Sequence, residues 1–172
     1  MNKAVDENKE KNNLEVITHS PAETIELARK LGALLDGGEV LALDGEMGAG
    51  KTHFIKGLAL GLEFTDHVSS PTFNLIHEYI GGRLPLYHFD VYRLEDPAEL
   101  EGLGYEEYFY GNGVTAIEWS GIIKDYLPEE YLHISFENIL NGSSYTRRIS
   151  FKAVGPRMEK IIEALKQEVT NL

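Results

Sequence analysis

The chain contains no cysteine. Disulfides, thiolate catalysis and cysteine-based zinc sites are therefore excluded, and the composition fits a reducing cytoplasm, which is the expected compartment. Positive charge is also scarce. Sixteen Lys and Arg stand against 28 Asp and Glu, for a formal net charge of -12. Gripping a nucleic-acid backbone takes clustered Lys and Arg, so any RNA or DNA role should run through a partner protein. The same acidity also suits solubility alone. No apolar run is long enough to span a membrane. The first 13 residues, MNKAVDENKEKNN, lack the apolar core of a secretory signal and read as a flexible tail. The six histidines (19, 53, 67, 77, 88, 133) show no helical metal-ligand spacing, so no zinc site is assigned. Neither an internal repeat nor a Pro-, Gly- or Ser-rich linker divides the chain. Residues 14–172 therefore read as one domain, and 42% hydrophobic residues suffice for its core.

Strands and helices alternate. LEVIT (14–18) is a short strand. Ser20-Pro21-Ala22-Glu23 then opens a helix: Ser20 caps, Pro21 takes the first position and Glu23 sits three residues after the cap. Gly37-Gly38 closes it. EVLALD (39–44) is apolar enough for a strand buried on both faces of a parallel sheet. A Gly-rich loop and a helix to about Leu62 follow. Residues 73–80 and 84–91 read as a hairpin around Gly81-Gly82-Arg83, and Asp96 with Glu99 repeats the capping pattern. Val114 to Ile117 is a buried strand ending in Glu118-Trp119. Two late strands (131–137 and 145–154) and a closing helix (157–169) complete the chain. The pattern implies a three-layer α/β sandwich of the P-loop NTPase type, with a mixed, mainly parallel sheet and added antiparallel hairpins.

The chemistry centres on Gly45-Glu46-Met47-Gly48-Ala49-Gly50-Lys51-Thr52, which matches G-x-x-x-x-G-K-[ST]. The glycines let backbone N–H groups curl inward onto phosphate oxygens. Lys51 brings positive charge to the β- and γ-phosphates, the Thr52 hydroxyl suits Mg²⁺, and the helix adds its positive N-terminal end. A buried strand before and a helix after make this context specific for ATP or GTP. Glu118, at the end of an apolar strand, stands where P-loop proteins place an acid beside the metal. It would hold Mg²⁺ directly or through water, or orient the attacking water; a plain solvated strand end is the alternative. Asp90, in YHFDVYR, shares a strand face with His88 and Tyr92 and would contact the metal or support it. Arg93 would touch phosphate or pair with a carboxylate. A half-exposed hairpin accounts for the same residues. Thr72, in SSPTF, suits a loop sensing the γ-phosphate or an ordinary turn set by Pro71. Trp119 serves the core or the site.

GEMGAGKT, SSPTF, LPLYHFDVYRLEDPAELEGLGYEEYF and AIEWSGII, in this order, resemble the TsaE family from about Ser20 to Phe151. The resemblance implies a small α/β ATPase needed for the threonylcarbamoyl modification of adenosine 37 in tRNA. Such a protein does not transfer the group itself. It binds the TsaD–TsaB complex and meets tRNA only through that complex, and its ATP hydrolysis resets the complex between turnovers. Carried over by motif, Lys51 and Thr52 hold phosphate and Mg²⁺, Glu118 is the metal carboxylate, Asp90 and Trp119 are linked to hydrolysis, and Thr72 lies in a switch-like loop. The family also holds the base from the region opening the first helix, where Glu23-Thr24 matches and Thr24 is the candidate, and from a late strand. There this chain lacks the family's Gly-Arg pair, and Arg147 or Arg148 stands in. Glu46 and His53 also depart from the pattern. Two rival functions fit a P-loop: a small-molecule kinase and a nucleotide sensor. A kinase lid brings several arginines over the phosphates; the chain has six arginines in all, none clustered in a lid-like insertion.

Overall fold

The computed structural model describes residues 11–46, 48–66, 68, 75–139 and 145–170. Met47, Thr72, the rest of SSPTF and the turn around Asn141-Gly142 lie outside them, as does most of the N-terminal tail. Strand β1 (Asn13–Thr18) begins one residue inside the stretch read as tail. It leads into helix α1 (Pro21–Leu34), which starts as its sequence dictates. The Ser20 hydroxyl accepts from Glu23 N at 3.1 Å, and the Glu23 carboxylate accepts from His19 N at 2.6 Å. The reciprocal bond thus reaches one residue further back than a capping box requires. Past α1, the nearly inaccessible Glu39 accepts from Asp36 N and Gly37 N and meets Arg157 Nη2 at 3.3 Å. That carboxylate organises the turn into β2 (Val40–Gly45), with Gly37 and Gly38 in left-handed conformations.

Helix α2 (Lys51–Gly61) follows the P-loop. Next come β3 (Ile76–Tyr79) and β4 (Leu86–Asp90), two short helices α3 (Glu99–Gly102) and α4 (Tyr105–Phe109), and β5 (Val114–Glu118). A 3₁₀ helix (Ser120–Tyr126), β6 (Tyr131–Asn138), β7 (Arg147–Val154) and α5 (Pro156–Thr170) complete the order. The seven strands form one sheet, β1-β7-β6-β2-β5-β4-β3. The central strands β6, β2, β5 and β4 are parallel, while β7 is antiparallel to β6 and β1, and β3 to β4. Five strands therefore share a direction, as the mixed, mainly parallel reading required.

Strand alternation divides the core in two. Leu41, Leu43, Ile134 and Phe151 face α1, α2 and α5 through Leu31, Phe54, Leu58 and Ile162. Phe89 and Ile117 face the opposite layer through Leu100, Phe109 and Ile123. On the first side, α1 and α2 touch through their backbones. A Cβ at Gly32 would lie 2.7 Å from the Leu58 carbonyl oxygen, and one at Gly57 would lie 2.6 Å from Ala28 Cβ. These glycines set the depth at which α2, and hence Lys51 at its start, sits on the sheet.

Two expectations need correction. The hairpin of β3 and β4 exists, but half-exposure describes its edge strand β3 and not the mostly buried β4. β4 also pairs with β5 inside the sheet, and His88 is 1% exposed. Asp96 does not cap a helix at the next residue. Its carboxylate accepts from Ala98 N at 3.0 Å in a local Asx turn, and α3 starts at Glu99 after Ala98. The competing short-range bond is the one Asp offers most readily outside a helix.

Candidate active site

The loop between β2 and α2 is shaped by close approach and by left-handed backbone. A Cβ at Gly45 would lie 2.7 Å from the Phe136 carbonyl oxygen of β6, so only glycine fits beside that strand. Gly48 and Gly50 have φ of 76° and 100°, accessible to glycine at little cost. Gly50 is the N-cap of α2 and offers no side-chain cap, so the positive end of the helix faces the loop without a capping side chain.

These elements border a cleft of about 550 Å³ lined by Gly48, Gly50, Lys51, Thr52, Asp90, Glu118 and Trp119 on one side. Pro21, His53, Tyr145 and Arg147 also line it. Its size suits a nucleotide-sized ligand. Parallel pairing supplies the acids: Asp90 at the end of β4 is in register with Glu118 at the end of β5. Burial above all pushes the Asp90 carboxyl up from its ordinary range. A hydrogen bond from Tyr92 N opposes the rise and the nearby Glu118 charge adds to it. Two carboxylates meeting at this cleft, one raised by burial and by its neighbour's charge, form a donor set that a divalent cation would relieve. Glu118 is itself nearly buried and its Oε2 lies 2.7 Å from His88 Nε2. The imidazole fixes the orientation of that carboxylate and leaves its other oxygen for a ligand. In the sequence His88 is only a polar neighbour of Asp90 on one strand face. Its partner is 30 residues away, so no local signal could have named it.

Lys51 is 6% exposed. Its ammonium donates to the Gly45 carbonyl at 2.7 Å and lies 4.2 Å from the centre of the Trp119 ring. Trp119 therefore lines the cleft beside Lys51. It has φ of 63°, a left-handed conformation costing a bulky residue about 1–2 kcal/mol. Such strain persists only where neighbours over-determine it. Here Trp119 N donates to Leu43 O at 3.1 Å, and Tyr92 packs on the indole at 4.9 Å between ring centres.

The other end of the cleft carries an aromatic–cationic platform that the sequence only hinted at. The Arg147 guanidinium lies 4.1 Å over the Tyr145 ring and donates to Gly48 O at 3.1 Å. Arg148, the alternative, points elsewhere and pairs with Glu15 and Glu137. His53 meets Tyr145 edge-on with ring centres 6.3 Å apart. Burial, with Lys56 and Arg147 nearby, pulls its imidazole below the ordinary range. Thr24 is fully buried and does not line the cleft. Its hydroxyl bonds Thr18 at 2.8 Å and the Tyr145 hydroxyl at 3.1 Å, so it reaches the cleft only by holding Tyr145. Glu46 is exposed and Ala49 is buried in the loop; neither side chain lines the cleft. Arg93 is exposed just past β4 and is likewise absent from the lining. Thr72 and Met47 fall outside the described residues.

Comparison with known proteins adds to this geometry. Residues 18–149 match the family model described as threonylcarbamoyl adenosine biosynthesis protein TsaE. The chain is 48% identical over 150 residues to the tRNA threonylcarbamoyladenosine biosynthesis protein TsaE of Bacillus subtilis, covering 87% of this chain and 92% of that protein. It is 42% identical over 127 residues to the protein of that name from Treponema pallidum, covering 74% and 93%. Its fold superposes on the crystal structure of Bacillus subtilis YdiB with a TM-score of 0.77 at 40% identity, covering 91% of this chain and 95% of that one.

Proposed function

The chain belongs to the TsaE family, and from that premise we propose that it is a P-loop ATPase supporting threonylcarbamoyladenosine formation in tRNA. The observation carrying this reading is the convergence of Lys51, Thr52, Asp90, Glu118 and Trp119 on one cleft from separate segments. ATP is the substrate. Loop and helix N–H groups surround its phosphates, and Lys51 leaves the Gly45 carbonyl for a β- or γ-phosphate oxygen. The Thr52 hydroxyl and the carboxylates of Glu118 and Asp90 would hold Mg²⁺. Bound there, the ion would neutralise charge developing on the β- and γ-phosphates. Either carboxylate would serve to orient the attacking water, and Trp119 covers the Lys51 ammonium at 4.2 Å from its ring centre. The base is held at the far end, on Tyr145 and Arg147, where stacking and cation–π contact suit a purine.

Hydrolysis should be slow in the isolated protein. Phosphoryl transfer gains from an arginine placed on the γ-phosphate, and Arg93 stands outside the cleft lining. A partner must move it or supply another charge. That partner is the TsaD–TsaB complex, and with a net charge of -12 the chain is suited to a basic protein surface and poorly suited to tRNA itself. No helix among the described residues is long and apolar enough to cross a membrane. The test is phosphate release by purified protein, with and without TsaD–TsaB, in ATP and in GTP. Release that needs no added acceptor and rises with the complex supports the reading. A small-molecule kinase would release none without an acceptor, and a pure sensor none at all. Lys51→Ala and Glu118→Ala should each abolish turnover, and near-normal rates in either would refute the assigned roles.

A further inference from the structure

Behind the cleft, on the other face of the sheet, Asp44 draws three separate donors to one carboxylate. Ser120 Oγ donates to its Oδ2 at 2.5 Å, His133 Nε2 approaches the same oxygen at 2.8 Å, and Gly121 N reaches Oδ1 at 3.4 Å. Burial pushes this carboxyl up, yet the bonds from His133 and Ser120 outweigh it and hold it below the ordinary range. The location matters more than the charge. Asp44 immediately precedes Gly45, whose carbonyl accepts the Lys51 ammonium. Ser120 and Gly121 immediately follow Trp119, which holds a left-handed conformation against Lys51. Asp44 therefore ties the start of the P-loop to the two residues that follow Trp119, and His133 from β6 braces the tie.

We propose that Asp44 is a positioning residue: it clamps Ser120 and Gly121 so that Trp119 stays over Lys51, without itself touching the nucleotide. The alternative assignment for such a cluster, a nucleophilic Ser–His–Asp site, fails on connectivity. Ser120 and His133 both bond the aspartate, and Ser120 has no bond to the imidazole. Asp44 is also absent from the lining of the nucleotide cleft. Its side chain lines a smaller recess of about 280 Å³ with Lys124, Tyr131, His133 and Lys152. Its influence on catalysis therefore passes through the Trp119 backbone.

This inference rests on the ATPase reading only for its kinetic consequence. Trp119 is the sole tryptophan, so intrinsic fluorescence reads the clamp directly in nucleotide-free protein. In Asp44→Ala, acrylamide quenching of Trp119 should rise at least twofold. kcat for ATP should fall about tenfold, with KM changed less than threefold. Asp44→Asn keeps one acceptor oxygen, enough for Ser120 Oγ, but turns an amide NH₂ toward Gly121 N, and should recover part of the quenching protection and kcat lost in Asp44→Ala. Ser120→Ala removes one donor and should shift both readouts in the direction of Asp44→Ala by a smaller factor; it carries the test if Asp44→Ala lacks a native circular-dichroism spectrum. Unchanged quenching in both Asp44→Ala and Ser120→Ala would overturn the proposal, as would an Asp44→Asn variant indistinguishable from Asp44→Ala. If the wild type hydrolyses no ATP, the function fails and the quenching comparison still decides the clamp.

Discussion

Gly57→Ala sets two effects of known size against each other. Inside a helix, replacing glycine with alanine favours folding by about 1 kcal/mol. At Gly57 that gain meets a wall. The new methyl would sit 2.6 Å from Ala28 Cβ and 3.0 Å from the Ile25 carbonyl carbon, closer still to its oxygen. The Ile25 contacts are with the α1 backbone, so relief requires α1 and α2 to separate, and overpacking of this kind costs typically 1–3 kcal/mol. Gly61 and Gly32 repeat the contact one turn on, against the Arg29 and Leu58 carbonyls, so separation at Gly57 disturbs the whole interface and the upper part of that range applies. The net expectation is a loss of about 2 kcal/mol, read as a melting temperature lower by roughly 4–8 °C for a chain of this size. The control is Gly102→Ala, where an added methyl meets nothing within 4 Å, and which should leave stability unchanged or slightly raised. Thermal unfolding followed by circular dichroism decides the matter. A Gly57→Ala protein that melts at or above the wild-type temperature would refute the packing argument, because propensity would then have won.

Thr24→Val keeps the shape but removes the middle hydroxyl of the Thr18–Thr24–Tyr145 chain. It leaves the buried Thr18 hydroxyl unpaired, at about 1–3 kcal/mol; nucleotide affinity should fall several-fold as Tyr145 loosens, and unchanged affinity by titration calorimetry would show that Thr24 is structural only. Asp90→Asn should abolish turnover yet raise the melting temperature. An acid whose folded value is raised destabilises the fold once it ionises, so the gain should be present near neutral pH and shrink as pH falls into the ordinary carboxylate range; a variant less stable than wild type at pH 7.5 would contradict the penalty that burial, and to a smaller degree the Glu118 charge, places on ionised Asp90. Arg147→Ala should weaken ATP binding through loss of the platform while Arg148→Ala leaves it unchanged, and equal effects would disprove the distinction drawn between them.

How far the site could be read from the chain follows from how local each part is. The P-loop, the Ser20 cap and the acid ending β5 are contiguous signals, and each sits where its residue pattern put it. Long-range pairing hid the rest. Asp90 faces Glu118 because β4 lies beside β5, and His88 is buried because β4 is an inner strand, neither of which follows from a polar–apolar alternation along residues 87–93. Arg147 and Tyr145 reach the cleft because β7 pairs with β6, which in turn pairs with β2. The preference for Arg147 over Arg148 is then only the alternation of a strand whose register was not legible. Thr24 matches a base contact by position, and the fold buries it beneath Tyr145, which lines the cleft. His53, without explanation in the sequence, forms part of the wall around that same tyrosine.

The proposed hydrolysis of ATP in the service of a partner complex is tested most directly by phosphate release from ATP by the wild type and Lys51→Ala, each alone and with TsaD–TsaB. Slow release by the wild type, clear stimulation by the complex, and none above background from Lys51→Ala in either condition are expected. Release by Lys51→Ala matching the wild type, or no release by the wild type even with the complex, would contradict the proposal.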